Sequence, residues 1–199
     1  MTMRILAAAA LAAALAVPAR AAAVGQPAPD FSLADTQGKT RSLKDFKGRW
    51  LVLEWTNHEC PFVRKHYDTG NMQRLQKEYT AKKVAWLTIV SSRPNAEGYV
   101  TADQANRIAK EEKWAATATL LDPKGQAGRA YGAKATPHMF VIDPKGMLAY
   151  AGAIDDKRSA DKADVTTARN FVRAALDAGM AGKPIETTAT AAYGCSVKY

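Results

Sequence analysis

The chain carries two thiols, Cys60 and Cys195, in 199 residues. Cys60 stands in Trp55-Thr56-Asn57-His58-Glu59-Cys60-Pro61-Phe62-Val63, directly after the apolar run Leu51-Val52-Leu53. That succession reads as a buried strand, a short turn and a helix opening with proline at its first position. A cysteine at such a junction faces the free N–H groups and the positive dipole end of the helix, which favour the nucleophilic thiolate. Arg64, one helical turn on, acts in the same direction, and Glu59 opposes it. Cys195 lies in Tyr193-Gly194-Cys195-Ser196-Val197, in a stretch without periodicity that is expected to be mobile, where Gly194 permits close approach. Two such thiols can form a structural staple or a reversible redox disulfide, and the helix-start placement of Cys60 points to the second.

Other chemistry is less well provided for. His58, His66 and His138 could join Cys60 as soft-metal ligands, but no second cysteine lies near it in sequence, and neither a metal nor another cofactor is expected. His138 reads as a strand-start residue and His66 as a helix-surface or interface residue. The acid pairs Glu111-Glu112 and Asp155-Asp156 read as solvated groups on a helix face and a turn.

The elements that must position Cys60 follow from pattern. Short alternating runs around Thr36-Gln37-Gly38-Lys39 predict a β-hairpin turning at Gly38. Trp50 to Trp55 and Val84 to Val90 read as central strands, the second dense in apolar and β-branched residues as parallel strands are. Helical spacing runs from Cys60 to Tyr67, breaks at Asp68-Thr69-Gly70-Asn71, and resumes through Met72, Leu75 and Tyr79. Thr101 with Gln104 forms a capping box that opens a third helix. Ala118 to Leu121 is a short strand and Gln126 to Tyr131 a short helix. His138 to Ile142 and Met147 to Gly152 make a hairpin around Asp143-Pro144-Lys145-Gly146, the same turn solution as Asp122-Pro123-Lys124-Gly125. Val165, Ala168, Val172, Ala175 and Leu176 predict a last amphipathic helix ending at Gly179. The order implies parallel strands with crossovers followed by an antiparallel pair, and Cys60 then falls at the carboxyl end of a strand, where open α/β sheets do chemistry.

Composition narrows the setting. Arg4, the apolar stretch Ile5 to Val17, the break at Pro18 and the small-x-small site Ala19-Arg20-Ala21 read as a cleavable export signal. The net charge of +9 is spread along the chain without a basic run or aromatic-interleaved patch, which argues against nucleic-acid binding. No further apolar run is long enough to span a membrane, so none is expected to be engaged after cleavage.

With these motifs in hand, the chain resembles the thioredoxin superfamily: strand, turn, cysteine, proline and helix, and much later Ala135-Thr136-Pro137 before a hairpin. Val24-Gly25-Gln26-Pro27-Ala28-Pro29-Asp30-Phe31-Ser32-Leu33 and Asp45-Phe46-Lys47-Gly48 are similar to the redoxin branch. Asn57-His58-Glu59-Cys60-Pro61-Phe62-Val63, Thr136-Pro137-His138 and Gly152-Ala153-Ile154-Asp155-Asp156 resemble its peroxiredoxin-like (alkyl hydroperoxide reductase/thiol-specific antioxidant) members. The resemblance implies a thioredoxin fold of the α/β class, a central mixed sheet flanked by helices with an N-terminal β-hairpin extension. With the export signal and the aperiodic tail read above, it gives a signal peptide over 1–21, a redoxin domain over 22–182 and a tail over 183–199 carrying Cys195. It implies that Pro137 is a cis-proline facing Cys60, with Thr136 offering its backbone to an extended substrate, and that Thr56, Asn57, Pro61 and Arg64 support the nucleophile.

The departures are specific. Reductases of the thioredoxin type place a second cysteine three residues after the first, where this chain has Val63. Peroxiredoxins place a proline and a threonine where it has Leu53 and Asn57, with Thr56 one step away. Peroxiredoxin-like members often carry a further cysteine at the position of Thr56. Cys195 is then the available resolving thiol. The expected function is peroxide reduction by an exported oxidoreductase, with a peroxide or disulfide substrate and an external thiol reductant. A monothiol disulfide exchanger, or a binding module stapled by a disulfide, are the alternatives.

Overall fold

The computed structural model describes residues 22–199. The proposed signal at 1–21 therefore lies outside the described residues. The hairpin is present as β1 (Ser32–Asp35) and β2 (Thr40–Ser42). Then follow β3 (Leu51–Trp55), α1 (Pro61–Asp68), α2 (Asn71–Ala81), β4 (Ala85–Val90) and α3 (Ala102–Glu111). Next come β5 (Ala118–Leu121), α4 (Gln126–Tyr131), β6 (Ala135–Thr136), β7 (His138–Ile142) and β8 (Leu148–Gly152). The chain closes with α5 (Phe171–Met180) and β9 (Cys195–Ser196).

Seven strands form one mixed sheet in the order β2-β1-β5-β4-β3-β7-β8. β3 pairs parallel with β4 and β4 parallel with β5, whereas β7 lies antiparallel to β3. The N-terminal hairpin joins the sheet edge by an antiparallel pairing of β1 with β5. The central strands are covered on both faces, and their side chains alternate accordingly. Val52, Trp86, Met139 and Val141 pack with Tyr67, Met72, Leu75 and Leu176 from α1, α2 and α5. Leu51, Leu53, Trp55, Leu87 and Phe140 pack with Phe31, Phe46 and Tyr131 on the other face.

Two expectations are corrected. The last helix does not run from Val165 to Gly179. A short 3₁₀ turn spans Lys162–Thr166, and α5 begins afresh where the Asn170 side chain accepts from the Arg173 amide. Gly179 lies inside the helix, where a Cβ would meet the Trp50 ring at 2.3 Å, so the glycine serves packing and not termination. Nor is the tail a loose appendage. Cys195–Ser196 pairs antiparallel with Ala135–Thr136, so the last residues belong to the folded body.

Candidate active site

Cys60 is the N-cap of α1 and is fully buried. Its position follows from local grammar. β3 is held on both sides by β4 and β7, so its carboxyl end at Trp55 is fixed. The Asn57 side chain then accepts from the Glu59 amide, and the Cys60 amide donates to the Asn57 carbonyl, closing a tight turn. Pro61 starts the helix, and the Cys60 carbonyl accepts from the Val63 and Arg64 amides. Asn57 is itself clamped from above, because a Cβ on Gly98 would lie 2.3 Å from its side chain. Glu59 is occupied by the same loop, accepting from the Gly98 amide at 2.6 Å.

The second wall of the site is the segment before β7. The Thr136–Pro137 bond is cis, and the Cys60 thiol donates to the Thr136 carbonyl at 3.1 Å. Onto this edge the C-terminal tail delivers the other thiol. In the antiparallel register Thr136 faces Cys195, and the Thr136 hydroxyl donates to the Cys195 carbonyl at 3.4 Å. Gly194 makes the approach possible. Its φ is +130°, and a Cβ there would sit 2.0 Å from the Thr136 carbonyl oxygen, a distance no side chain tolerates. One carbonyl thus touches the Cys60 sulfur on one side and the Gly194 backbone on the other. Cys195 remains a free thiol, packed against the cluster that contains Cys60. Burial, then its hydrogen bond to the Cys60 sulfur and the charge there, push the Cys195 thiol up to about 12.

The tail is tied down on both sides of Cys195. Upstream, the Tyr193 hydroxyl donates to Asp155, and its ring meets Phe62 of α1 edge-on at 5.9 Å. Downstream, the Val197 amide donates to the Lys134 carbonyl at 3.2 Å, and the Lys198 carbonyl accepts from the Arg93 amide at 2.9 Å. Tyr199 lies over Gly125 and Gly128, with its hydroxyl donating to the Ala133 carbonyl and the Arg129 guanidinium 4.5 Å from its ring centre.

Asp155 is a residue the sequence reading missed. It is buried, not a solvated turn acid. Beside the Tyr193 hydroxyl it accepts from the Lys157 amide at 3.0 Å and faces buried Lys65 at 3.5 Å and His66 at 3.7 Å. His66 is likewise buried and not on a surface. Its Nδ1 meets the Asn71 side-chain amide at 2.9 Å and its Nε2 has no hydrogen-bond partner. Burial outweighs Asp155 and holds its imidazole down at about 4, so it is neutral at ordinary pH. Lys65 and His66 project from the helix that Cys60 opens, so this cluster ties that helix to the strand-8 exit and, through Tyr193, to the tail.

Glu54 was missed as well, although its type is conspicuous within Leu51-Val52-Leu53-Glu54-Trp55. Its carboxylate accepts from the Tyr67 hydroxyl (2.8 Å), the Trp86 indole (2.8 Å) and the Gln76 amide (3.2 Å). Full burial outweighs those three donors and pushes its carboxyl up to about 7.

Of the expected supporting residues, Asn57, Pro61, Thr136 and Pro137 stand around Cys60 as described. Thr56 is buried with its hydroxyl unpartnered. Arg64 is corrected: its guanidinium pairs with Asp68 and Glu112. Asp68, one turn further along α1, and Glu112, at the end of α3, already claim it, and it is not a free cation for Cys60. A surface hollow of about 280 Å³, lined by Pro27, Leu43, Phe46, Leu51 and Ile142 among others, lies at the opposite end of β3 and contains neither cysteine.

The AhpC/TSA family matches residues 24–151, more than half of the chain and the whole strand-to-hairpin frame that carries Cys60 and Pro137. The chain belongs to the AhpC/TSA family. It is a redoxin of the thioredoxin superfamily, with the expected mixed sheet and flanking helices, and an oxidoreductase. It is similar to the thioredoxin-like protein YneN of Bacillus subtilis, 28% identical over 145 residues that cover 71% of this chain and 79% of the relative. It is also similar to the thiol-disulfide oxidoreductase ResA of Geobacillus thermodenitrificans, 28% identical over 64% of this chain and 68% of that one. Among solved structures, a hypothetical protein of Sinorhizobium meliloti 1021 superposes with a TM-score of 0.76 at 27% identity, over 90% of this chain and 96% of that one. The family match ends at residue 151 and so stops short of Asp155, Tyr193 and Cys195. Among the described residues no helix is long and apolar enough to cross a membrane.

Proposed function

We propose that this redoxin is an exported thiol-dependent oxidoreductase in which Cys60 is the nucleophile and Cys195 the resolving thiol. The observation that carries the reading is the seating of Cys195 on the Thr136 edge beside Cys60, through a glycine backbone that no other residue could replace. The thioredoxin-like and thiol-disulfide oxidoreductase names of the curated relatives favour the same reaction class. Export rests on the signal-like pattern of residues 1–21.

With a disulfide R–S–S–R′, the Cys60 thiolate attacks one sulfur. A Cys60–S–S–R bond forms, the S–S bond of the substrate breaks, and R′ leaves as a thiolate that takes up a proton. Cys195 then attacks the Cys60 sulfur, R leaves as the second thiol with the Cys195 proton, and two electrons have passed to the substrate. The electrostatics favours this order of events. Burial is the first cause of the raised Cys195 thiol; charge on Cys60 is a further one, and that charge disappears once Cys60 is oxidised. Oxidation of Cys60 therefore makes Cys195 easier to ionise, while the effect of burial remains. An external thiol reductant restores the pair, entering at Cys195, the partly exposed sulfur of the two.

Peroxide reduction is the second reading, favoured by the family and by the buried, unpartnered Thr56 hydroxyl four positions before Cys60. There Cys60 takes the terminal oxygen of ROOH to give a sulfenic acid and ROH. The Cys195 thiol condenses with the sulfenic acid and releases water. Stopped-flow tryptophan fluorescence with hydrogen peroxide and with bis(2-hydroxyethyl) disulfide separates the readings. Reaction of Cys60 with at least one of them faster than free cysteine is expected. Inertness toward both, with a Cys60–Cys195 bridge that resists reductant, would make the protein a stapled binding module.

A further inference from the structure

An extended polypeptide binds a folded domain most readily by adding a strand to a free edge, where its own backbone N–H and C=O groups find partners. Beside Cys60 the edge that could serve is the two-residue strand Ala135–Thr136, whose Thr136 carbonyl already touches the Cys60 sulfur. That edge is taken. The chain's own Cys195–Ser196 pairs with it in antiparallel register, and Gly194 lies in contact with the Thr136 carbonyl. The occupant presents a cysteine to Cys60 in extended backbone, as a disulfide-containing peptide would have to do.

Resting on the oxidoreductase reading above, we infer that the C-terminal strand fills the polypeptide edge of the active site, so that the oxidants the protein accepts are small molecules, a hydroperoxide or a low-molecular-weight disulfide, and not extended polypeptides. A small oxidant has to reach only the sulfur of buried Cys60. Admitting a peptide strand requires the tail to leave as a unit, which breaks the Thr136 pairing, the Tyr193–Asp155 bond, the Val197–Lys134 and Arg93–Lys198 backbone bonds, and the seat of Tyr199. These anchors lie on both sides of Cys195, so fraying from the chain end does not free the edge.

The test compares rate constants for oxidation of Cys60 by hydrogen peroxide, by bis(2-hydroxyethyl) disulfide and by an extended peptide carrying an internal disulfide. The full chain, a chain ending at Ala192, and the full-length Gly194→Ala variant are used, each checked for native circular dichroism. Only the first step at Cys60 is read, so the presence of Cys195 does not enter. The full chain is expected to react with a small oxidant and scarcely with the peptide. Both altered chains should raise the ratio of peptide to small-disulfide rate by about tenfold or more, as loss of a few backbone hydrogen bonds from a competing strand would do. Adding a peptide of residues 186–199 with serine at 195 should return the shortened chain to the original ratio. Equal rates of the unaltered chain with the peptide and the small disulfide would overturn the inference, as would an unchanged ratio in folded Gly194→Ala. Inertness of the full chain toward all three oxidants would instead sink the oxidoreductase reading on which the inference rests.

Discussion

The two cysteines meet at Thr136 by opposite routes. Cys60 is placed by its immediate neighbours: a central strand on one side, an Asn57 turn, and a proline-initiated helix on the other. Cys195 is placed by nothing near it in sequence beyond Gly194. Its position is the joint result of contacts to Asp155, Thr136, Lys134, Arg93 and Ala133, residues 40 or more positions away. A site assembled this way has a rigid half and a half whose geometry can be detuned one anchor at a time.

The largest difference between the halves should appear on removing the thiols themselves. Cys60→Ser is expected to abolish oxidation by any substrate while leaving the fold nearly unchanged, since the Cys60 side chain donates one weak bond. Cys195→Ser should retain the first step and stall, so that excess hydrogen peroxide drives Cys60 to the sulfinic state. Mass spectrometry of each variant after peroxide checks both outcomes. Retained activity in Cys60→Ser would remove the case for the rigid half as the reacting one.

The core beneath Cys60 carries its own signature in Glu54, whose carboxyl titrates at about 7 in the fold against 4.5 ordinarily. The folded state therefore holds an extra proton between those values. The stability this contributes is fully present below about pH 4.5 and is lost as pH rises through about 7, on the order of 3 kcal/mol. His66 and His138, both held down at about 4 by burial, act oppositely and lose stability as pH falls from 6.5 toward 4. Subtracting the urea stability of Glu54→Gln from that of the unaltered protein cancels the histidines. The difference should fall from about pH 5 to about pH 8 by the amount just given. A flat difference would mean that the carboxyl is ordinary and the floor of the site more open to water.

The tail should respond to smaller changes. Gly194→Ala forces a Cβ onto the Thr136 carbonyl and an L-residue into a φ of +130°. We expect it to destabilise the seated tail by about 2 kcal/mol and to slow Cys60–Cys195 disulfide formation more than tenfold. Tyr193→Phe keeps the ring on Phe62 and removes only the bond to Asp155, for about 1 kcal/mol and a correspondingly weaker slowing. Disulfide formation followed by alkylation and mass shift reads both. If Tyr193→Phe slowed the reaction as much as Gly194→Ala, the Asp155 cluster and not the Thr136 edge would set the position of Cys195.

This contrast also explains what could be read in advance. The frame from β1 to β8, the two-residue β6 apart, was legible because its elements carry their own signals: alternation around Gly38, the Thr101–Gln104 capping box, and Asp-Pro-Lys-Gly turns whose glycines adopt positive φ. Cys60, Pro61 and Pro137 were legible for the same reason. The tail was not, because two paired residues have no periodicity and their partners lie far upstream. Asp155, Lys65, His66 and Glu54 were passed over because a charged residue in sequence reads as solvated, and only the fold shows where several of them face one another. Arg64 failed in the converse way: proximity along the helix suggested Cys60 as its partner, but Asp68 and Glu112 offered it carboxylates.

Cys60 and Cys195 of one chain are proposed as partners in turnover. Peptide mapping of the reduced full-length protein after one equivalent of hydrogen peroxide tests this pairing most directly, with unreacted thiols blocked before digestion. A Cys60–Cys195 linked peptide in the monomer, and a return to two free thiols on adding reductant, are expected. Overoxidised Cys60 beside free Cys195, or a linkage joining two chains, would contradict it.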